Sequence, residues 1–307
     1  MTTRYKILFC LVILLLLGSI WKSNGIARHV KYFRDYLSHE RTIKRLHKME
    51  SDISSLENFI SEGSEYFTKY HFISHNGGII QGRLHSGSLE AWEHSYNRGN
   101  RIIDADLEFT SDNKIVVRHG WAENLEQGQE PNIMTHKNFM DSLIFRKYHP
   151  LDLDGMINFM MTHKDLYIAV DSKQDPAKIF DLLVKTAKNL NAESILERII
   201  VSLYNFEDVN RVKKIYTFKN FALRQYGWQH NWYKLAEFCL NNNIRVVNIF
   251  DFVIDSDPEG VKILTSKNIH VFAAVVNDLS QLEKYKSLGI TGAVSDFLSE
   301  SDWSLIK

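Results

Sequence analysis

His71-Phe72-Ile73-Ser74-His75-Asn76-Gly77-Gly78 opens as a short β-rich run and stops on two glycines. An apolar run that ends in Asn-Gly-Gly reads as a strand delivering its last side chain into a tight loop, because glycine admits dihedrals that other residues avoid. His75 is therefore expected at a strand end. After a helical interval, Arg101-Ile102-Ile103-Asp104-Ala105-Asp106 reads as a second strand. Period-2 alternation puts Asp104 and Asp106 on one face, where two carboxylates repel unless positive charge is supplied. The turn Ser111-Asp112-Asn113 then leads into Lys114-Ile115-Val116-Val117-Arg118, a third extended run that ends in His119-Gly120. Two histidines bracket a pair of acids.

From residue 71 onward, short β-rich runs alternate with helical stretches, the pattern of βα units and a parallel sheet. Eight strands are expected at about 71–75, 101–106, 166–171, 198–202, 220–224, 245–249, 270–276 and 292–295, with 115–118 as a hairpin mate of the second. Eight parallel strands separated by helices close most naturally into a barrel, although periodicity alone also admits an open doubly wound sheet. His75, Asp104, Asp106 and Asp171 all fall at or near carboxyl ends of these strands, the end at which barrels carry their chemistry.

The ordered set His75, Ser88-Leu89-Glu90-Ala91, Asp104-Ala105-Asp106, Phe109-Thr110-Ser111-Asp112 and His119 resembles the signature of the glycerophosphodiester phosphodiesterase family. Val170-Asp171-Ser172-Lys173 is similar to its acid-x-Lys strand, and Gly289-Ile290-Thr291-Gly292-Ala293-Val294-Ser295-Asp296 to its closing segment. The resemblance spans residues 71 to 299. It implies an α/β fold of the TIM (β/α)8 type, shared with the phosphatidylinositol-phospholipase-C-like phosphodiesterases. It further implies His75 and His119 as the acid/base pair, and a divalent cation, Ca2+ or Mg2+, on Asp104, Asp106 and Asp171. Lys173 and Asn76 fall at its substrate-binding positions. The chemistry suits those residue types. A histidine can give or take a proton near neutrality, and carboxylates are hard ligands for hard cations.

The chain also departs from the family. Aspartates stand at 104 and 171 where glutamates are usual, and His75-Asn76-Gly77 replaces His-Arg-Gly, losing an arginine suited to phosphate. Gly87 replaces an asparagine, and Gly120 an aspartate. A minor His-x-Gly-Gly branch of the family is closer to this chain. Near the seventh strand, Ala274-Val275-Val276-Asn277 keeps the family's asparagine but lacks its Trp-Thr.

At 307 residues the chain has room for one barrel of about 250 residues and a leader. Arg4 and Lys6 precede an apolar run from Ile7 to Leu17, the pattern of a signal peptide or a retained anchor. The missing small-residue cleavage site favours retention, with the later chain outside the cytoplasm or exported. Residues 26 to 62 carry apolar positions at three- and four-residue steps, an amphipathic helical stalk or a segment lying on anionic lipid. The expected division is therefore 1–25 signal or anchor, 26–66 stalk and 67–307 barrel. Residues 121–165 are expected as an excursion from the barrel. Balanced charge, 37 basic against 37 acidic residues, argues against a nucleic-acid partner. Two cysteines, one in the leader, argue against a disulfide framework.

The activity so implied is hydrolysis of glycerophosphodiesters, or of a lipid-derived substrate, to glycerol phosphate and an alcohol. The nucleophile is either the glycerol's neighbouring hydroxyl, through a cyclic phosphate, or water. Two alternatives stand beside it. One is a barrel that binds glycerophosphoryl groups or a cell-envelope polymer without turnover, and the other a lyase-like phospholipase that stops at the cyclic phosphate.

Overall fold

A computed structural model of the chain describes residues 66–122, 132–225 and 231–306. The leader, the stalk except its last residue, and the tip of the expected excursion lie outside the described residues. No helix among the described residues is long and apolar enough to cross a membrane.

The chain enters through α1 (Tyr66–Lys69) and continues into β1 (Phe72–Ser74), α2 (Leu89–Asn97), β2 (Ile102–Phe109) and β3 (Ile115–Val117). Next come α3 (His136–Met140), α4 (Leu153–Thr162), β4 (Tyr167–Asp171), α5 (Pro176–Asn189) and β5 (Ile199–Leu203). The rest is α6 (Phe206–Lys213), β6 (Asn220–Gln225), α7 (Trp232–Asn241), β7 (Val246–Phe250), α8 (Asp251–Ser256), α9 (Pro258–Thr265), β8 (His270–Ala274), α10 (Leu279–Ser287), β9 (Gly292–Ser295) and α11 (Glu300–Trp303). The strands follow the order β1-β9-β8-β7-β6-β5-β4-β2, all parallel, and β1 pairs back onto β2 to close a TIM barrel of eight strands. β3 is the ninth strand, antiparallel to the outer end of β2, with Leu107 opposite Val117. Its turn is the expected one. Asn113 takes φ 58, and its N–H donates to the Thr110 carbonyl at 3.0 Å.

The interior has two levels. At the amino-terminal end, Ile73, Ile102, Ala169, Ile200, Ala222, Val246, Phe272 and Val294 point inward from their strands, and Tyr66 and Tyr70 pack beneath them as a plug. Tyr66 of α1 and Tyr70 just after it keep water from the side chains above, of which a fully buried Val, Ile or Phe is worth about 1.5–3 kcal/mol. Two residues further along the same strand faces the side chains turn polar, with Asp104, Asp106, Asp171, Ser202, Arg224 and Asn248 all buried. Most strands thus change character between start and carboxyl end; β8 stays apolar, with Ala274 following Phe272 on the inward face.

Local signals start the helices. The Ser88 side chain accepts from Ala91 N–H at the head of α2, and Asp175 accepts from Ala177 N–H ahead of Pro176 in α5. The excursion is shorter than the sequence led us to expect. Leu153–Thr162 is the barrel's own helix leading to β4, with Met156, Ile157, Phe159 and Met160 buried. What stands outside the barrel is the patch of Phe139, Ile144 and Tyr148, which packs on Ile80, Ala91 and Val116.

Candidate active site

The sequence-predicted residues gather at the carboxyl ends of the strands. His75 follows β1 in a one-turn 3-10 segment, His75–Gly77. Gly77 has φ +83, and a Cβ there would lie 2.6 Å from Trp92 Cδ1, so the close approach of α2 to this turn admits only glycine. His119 arrives from β3, whose following residue is tied to β2 by the Arg118 N–H to Asp106 carbonyl bond of 2.8 Å. The two imidazoles face each other edge-on, with ring centroids 6.5 Å apart.

A third histidine, which sequence reasoning passed over, stands between them. His85 has its ring centroid 4.6 Å from that of His75 and 5.4 Å from that of His119. The carboxylate of Asp296, just past β9, accepts from His75 Nδ1 at 2.9 Å and lies 3.5 Å from His85 Nε2. Its other oxygen accepts from Asn277 Nδ2 at 2.7 Å, so the family's asparagine, kept here just past β8, serves to aim Asp296. Burial pushes the Asp296 carboxyl up, but the hydrogen bonds from His75 and His85 outweigh it and hold the group well below the usual carboxylate range. His75, His85 and Asp296 are, among the described residues, the group of histidine and acid side chains whose ligand atoms all lie within 4.8 Å of one another, a set that could hold a metal ion. Imidazole-rich sets suit borderline metals better than Ca2+ or Mg2+.

Lys173, two residues beyond Asp171, donates from Nζ to His119 Nε2 at 2.9 Å. An ammonium has only protons to give, so this nitrogen of His119 is the accepting one. Asn76 follows His75 in the same turn. It is fully buried, and its Nδ2 donates to the His85 carbonyl at 3.3 Å, so it braces the loop that carries His85. A Cβ at Gly87 would lie 3.1 Å from Asn76 Oδ1, so the changes at 76 and 87 share one packing site.

The three aspartates are brought together, but not around a vacant centre. Asp106 lies opposite Asp171 in the β2–β4 register, and Asp104 is two residues back on the same face. Arg224, from β6, spans the interior. One of its terminal nitrogens makes a very short ion pair with Asp104, and the other lies 3.3 Å from Asp171 Oδ2. The Tyr204 hydroxyl, just past β5, sits 2.5 and 2.6 Å from the two Asp171 oxygens. Burial, with Asp104 and Asp171 close by, pushes the Asp106 carboxyl well above its ordinary value. The divalent cation implied by the sequence resemblance therefore fits poorly here. Two of its three ligands already carry a guanidinium, and the three do not form a convergent set of ligand atoms.

Sequence reasoning also missed Arg224 and Tyr204. A signal for the arginine existed: Phe221-Ala222-Leu223-Arg224 places a charge on the inward face of a barrel strand, where it must find a counter-charge.

The class defined by these observations is a (β/α)8 barrel with a polar site at the carboxyl ends of its strands. No protein-family model matches the sequence, and no curated protein does. Solved structures do. A glycerophosphodiester phosphodiesterase from Parabacteroides distasonis matches with a TM-score of 0.62 and 17% identity over 77% of this chain and 96% of that one. A phosphodiesterase from Oleispira antarctica, solved with its product sn-glycerol-3-phosphate, matches with a TM-score of 0.62 and 13% identity over 77% and 96%. A glycerophosphodiester phosphodiesterase from Thermotoga maritima gives 0.57 and 17% over 77% and 97%. The fold is that of the glycerophosphodiester phosphodiesterases, as the sequence resemblance anticipated.

Proposed function

We propose that the chain is a phosphodiesterase of the glycerophosphodiester type, cleaving its substrate to glycerol phosphate and an alcohol by paired histidine catalysis. The observation that carries this reading is the pair His75 and His119 facing each other across the barrel mouth, each with a different polar partner. Asp296 holds His75 through Nδ1, and an anion there suits the ring that must carry the extra proton, so His75 is the acid that protonates the leaving alkoxide. His119 presents an accepting nitrogen, which suits the base that deprotonates the attacking hydroxyl. Lys173 lies against that nitrogen and would turn to a phosphate oxygen as the substrate enters. The attacking hydroxyl is the glycerol's own neighbouring one, giving a cyclic phosphate that water then opens to glycerol phosphate, or it is water directly. No step is assigned to a cation, because Asp104 and Asp171 already hold Arg224.

The same reading keeps the amino-terminal run from Ile7 to Leu17 as an anchor that leaves the barrel outside the cytoplasm, with residues 26–66 as its stalk. Carbonate-resistant sedimentation with membranes checks the anchor, and release into the supernatant would remove it.

The catalytic reading is tested by hydrolysis of glycerophosphocholine, glycerophosphoethanolamine and a chromogenic phosphodiester by the full chain, beside His75→Ala and His119→Ala. Loss of an acid or base in general catalysis costs about 10²–10⁴-fold, and both variants are expected in that range. Folded protein that turns over none of the three, or a variant with unchanged rate, defeats the proposal.

A further inference from the structure

β6 alternates Asn220, Ala222 and Arg224 on its inward face, and Ala222 joins the apolar interior. Arg224 is therefore sent into the barrel by strand periodicity, and it is buried to 3% exposure. Neither of its acidic partners is on a neighbouring strand. Asp104 belongs to β2 and Asp171 to β4, whereas β6 pairs with β5 and β7. The guanidinium crosses the lumen to reach both.

We infer that Arg224 is a built-in cation that replaces a divalent ion at this barrel end, so that Asp104, Asp106 and Asp171 hold no resident Ca2+ or Mg2+. Three observations support the substitution. First, the carboxylate oxygens a cation would need are engaged: Asp104 Oδ1 and Asp171 Oδ2 by Arg224, and both Asp171 oxygens by the Tyr204 hydroxyl. Second, Asp104 Oδ2 and Asp106 Oδ2 are the cluster's buried oxygens without a hydrogen-bond partner, so an ion bound there would draw the rest of its roughly six to eight oxygens from water or substrate rather than from the chain. Third, the ligand atoms of the three acids do not lie within 4.8 Å of one another, as those of His75, His85 and Asp296 do. The aspartates that stand where the resemblance expects glutamates belong to the same change. Each withdraws its carboxylate towards its own strand, and the planar fork of an arginine spans the wider gap with directed hydrogen bonds.

The charge arrangement follows. One fixed positive group neutralises part of a three-carboxylate cluster without depending on ion supply. If the phosphodiesterase reading holds, Arg224 acts as a positioning residue: it fixes Asp104 and Asp171, and Lys173 is left to meet the phosphate. That last step rests on the proposed function. The cation claim itself does not.

Calorimetric titration of the full chain with Ca2+ and with Mg2+ tests it, beside Arg224→Gln and Arg224→Lys, with melting temperatures read in parallel. Wild type is expected to show no saturable site tighter than about 1 mM and no rise in melting temperature at about 10 mM ion, since an ion stabilises only what it binds. Arg224→Gln frees Asp104 and Asp171 and should gain a saturable site, with its melting temperature rising as ion is added. Arg224→Lys keeps the positive charge and should stay silent. Saturable submillimolar binding by wild type overturns the inference, as does a folded Arg224→Gln that is blind to both ions. If Arg224→Gln does not fold, wild type and Arg224→Lys decide alone, silence supporting and saturable binding overturning. None of these readings uses a substrate, so failure of the phosphodiesterase assay would leave them intact.

Discussion

Replacing Gly77 with alanine should strike both stability and catalysis, and the structure lets the two be separated. The residue has φ +83, so an added Cβ brings the left-handed penalty of about 1–2 kcal/mol. The same Cβ would also lie 2.6 Å from Trp92 Cδ1 and 3.1 Å from its Nε1. Carbon atoms at van der Waals contact sit about 3.5–4 Å apart, so roughly 1 Å must be found. Trp92 is fully buried and packed edge-on against Phe159, which leaves its ring little freedom to give way. Overpacking of this kind costs about 1–3 kcal/mol, for a total near 2–5 kcal/mol. The part that the tryptophan does not absorb moves the turn, and His75 is two residues away. A displacement of about 1 Å at a catalytic group lowers the rate about 10²-fold. Urea denaturation gives the first quantity and kcat on a chromogenic phosphodiester the second. Gly82→Ala is the internal control: that glycine has φ +78 with no atom within 4 Å of an added Cβ, so only the backbone penalty should appear. Equal losses in the two variants, with kcat unchanged in Gly77→Ala, would refute the account of how this turn is held.

Two further outcomes follow from named contacts. Asp296→Asn keeps the size of the side chain but removes the anion that accepts from His75 Nδ1 and Asn277 Nδ2; with the imidazole tautomer no longer held, kcat should fall about 10²–10⁴-fold and the pH–rate profile should change shape. A stability loss with an unaltered profile would make Asp296 merely structural. His270, at the amino-terminal end of β8, has its pKa lowered by burial and, secondarily, by Arg245, so the folded protein takes up this proton at lower pH than the unfolded chain does. Its contribution to stability is therefore complete above about pH 6.5 and is lost as the pH falls from there through the folded value. His270→Gln should flatten the fall in urea midpoint between about pH 7.5 and 5, and a parallel fall in both proteins would contradict it.

The barrel could be read from the sequence because each strand carries its own evidence. Ile199–Leu203 and Val246–Phe250 are short, β-branched and buried, and each alternates inward and outward side chains that make sense without knowledge of its neighbours. The positions of His75 and Asp171 at the ends of β1 and β4 were legible for a related reason, since the local pattern says where those strands stop, whereas β2 runs on to Phe109, past Asp104 and Asp106. What could not be read that way are the partners. Arg224 meets Asp104 only because closure of the sheet puts β6 across the lumen from β2, 120 residues earlier in the chain, and no local pattern encodes that crossing. Asp296 meets His75 only because β9 lies beside β1, 221 residues away in sequence. An accounting of interior charge would have gone part of the way. Three acids at inward positions demand positive charge, and an arginine on the inward face of another strand supplies part of it.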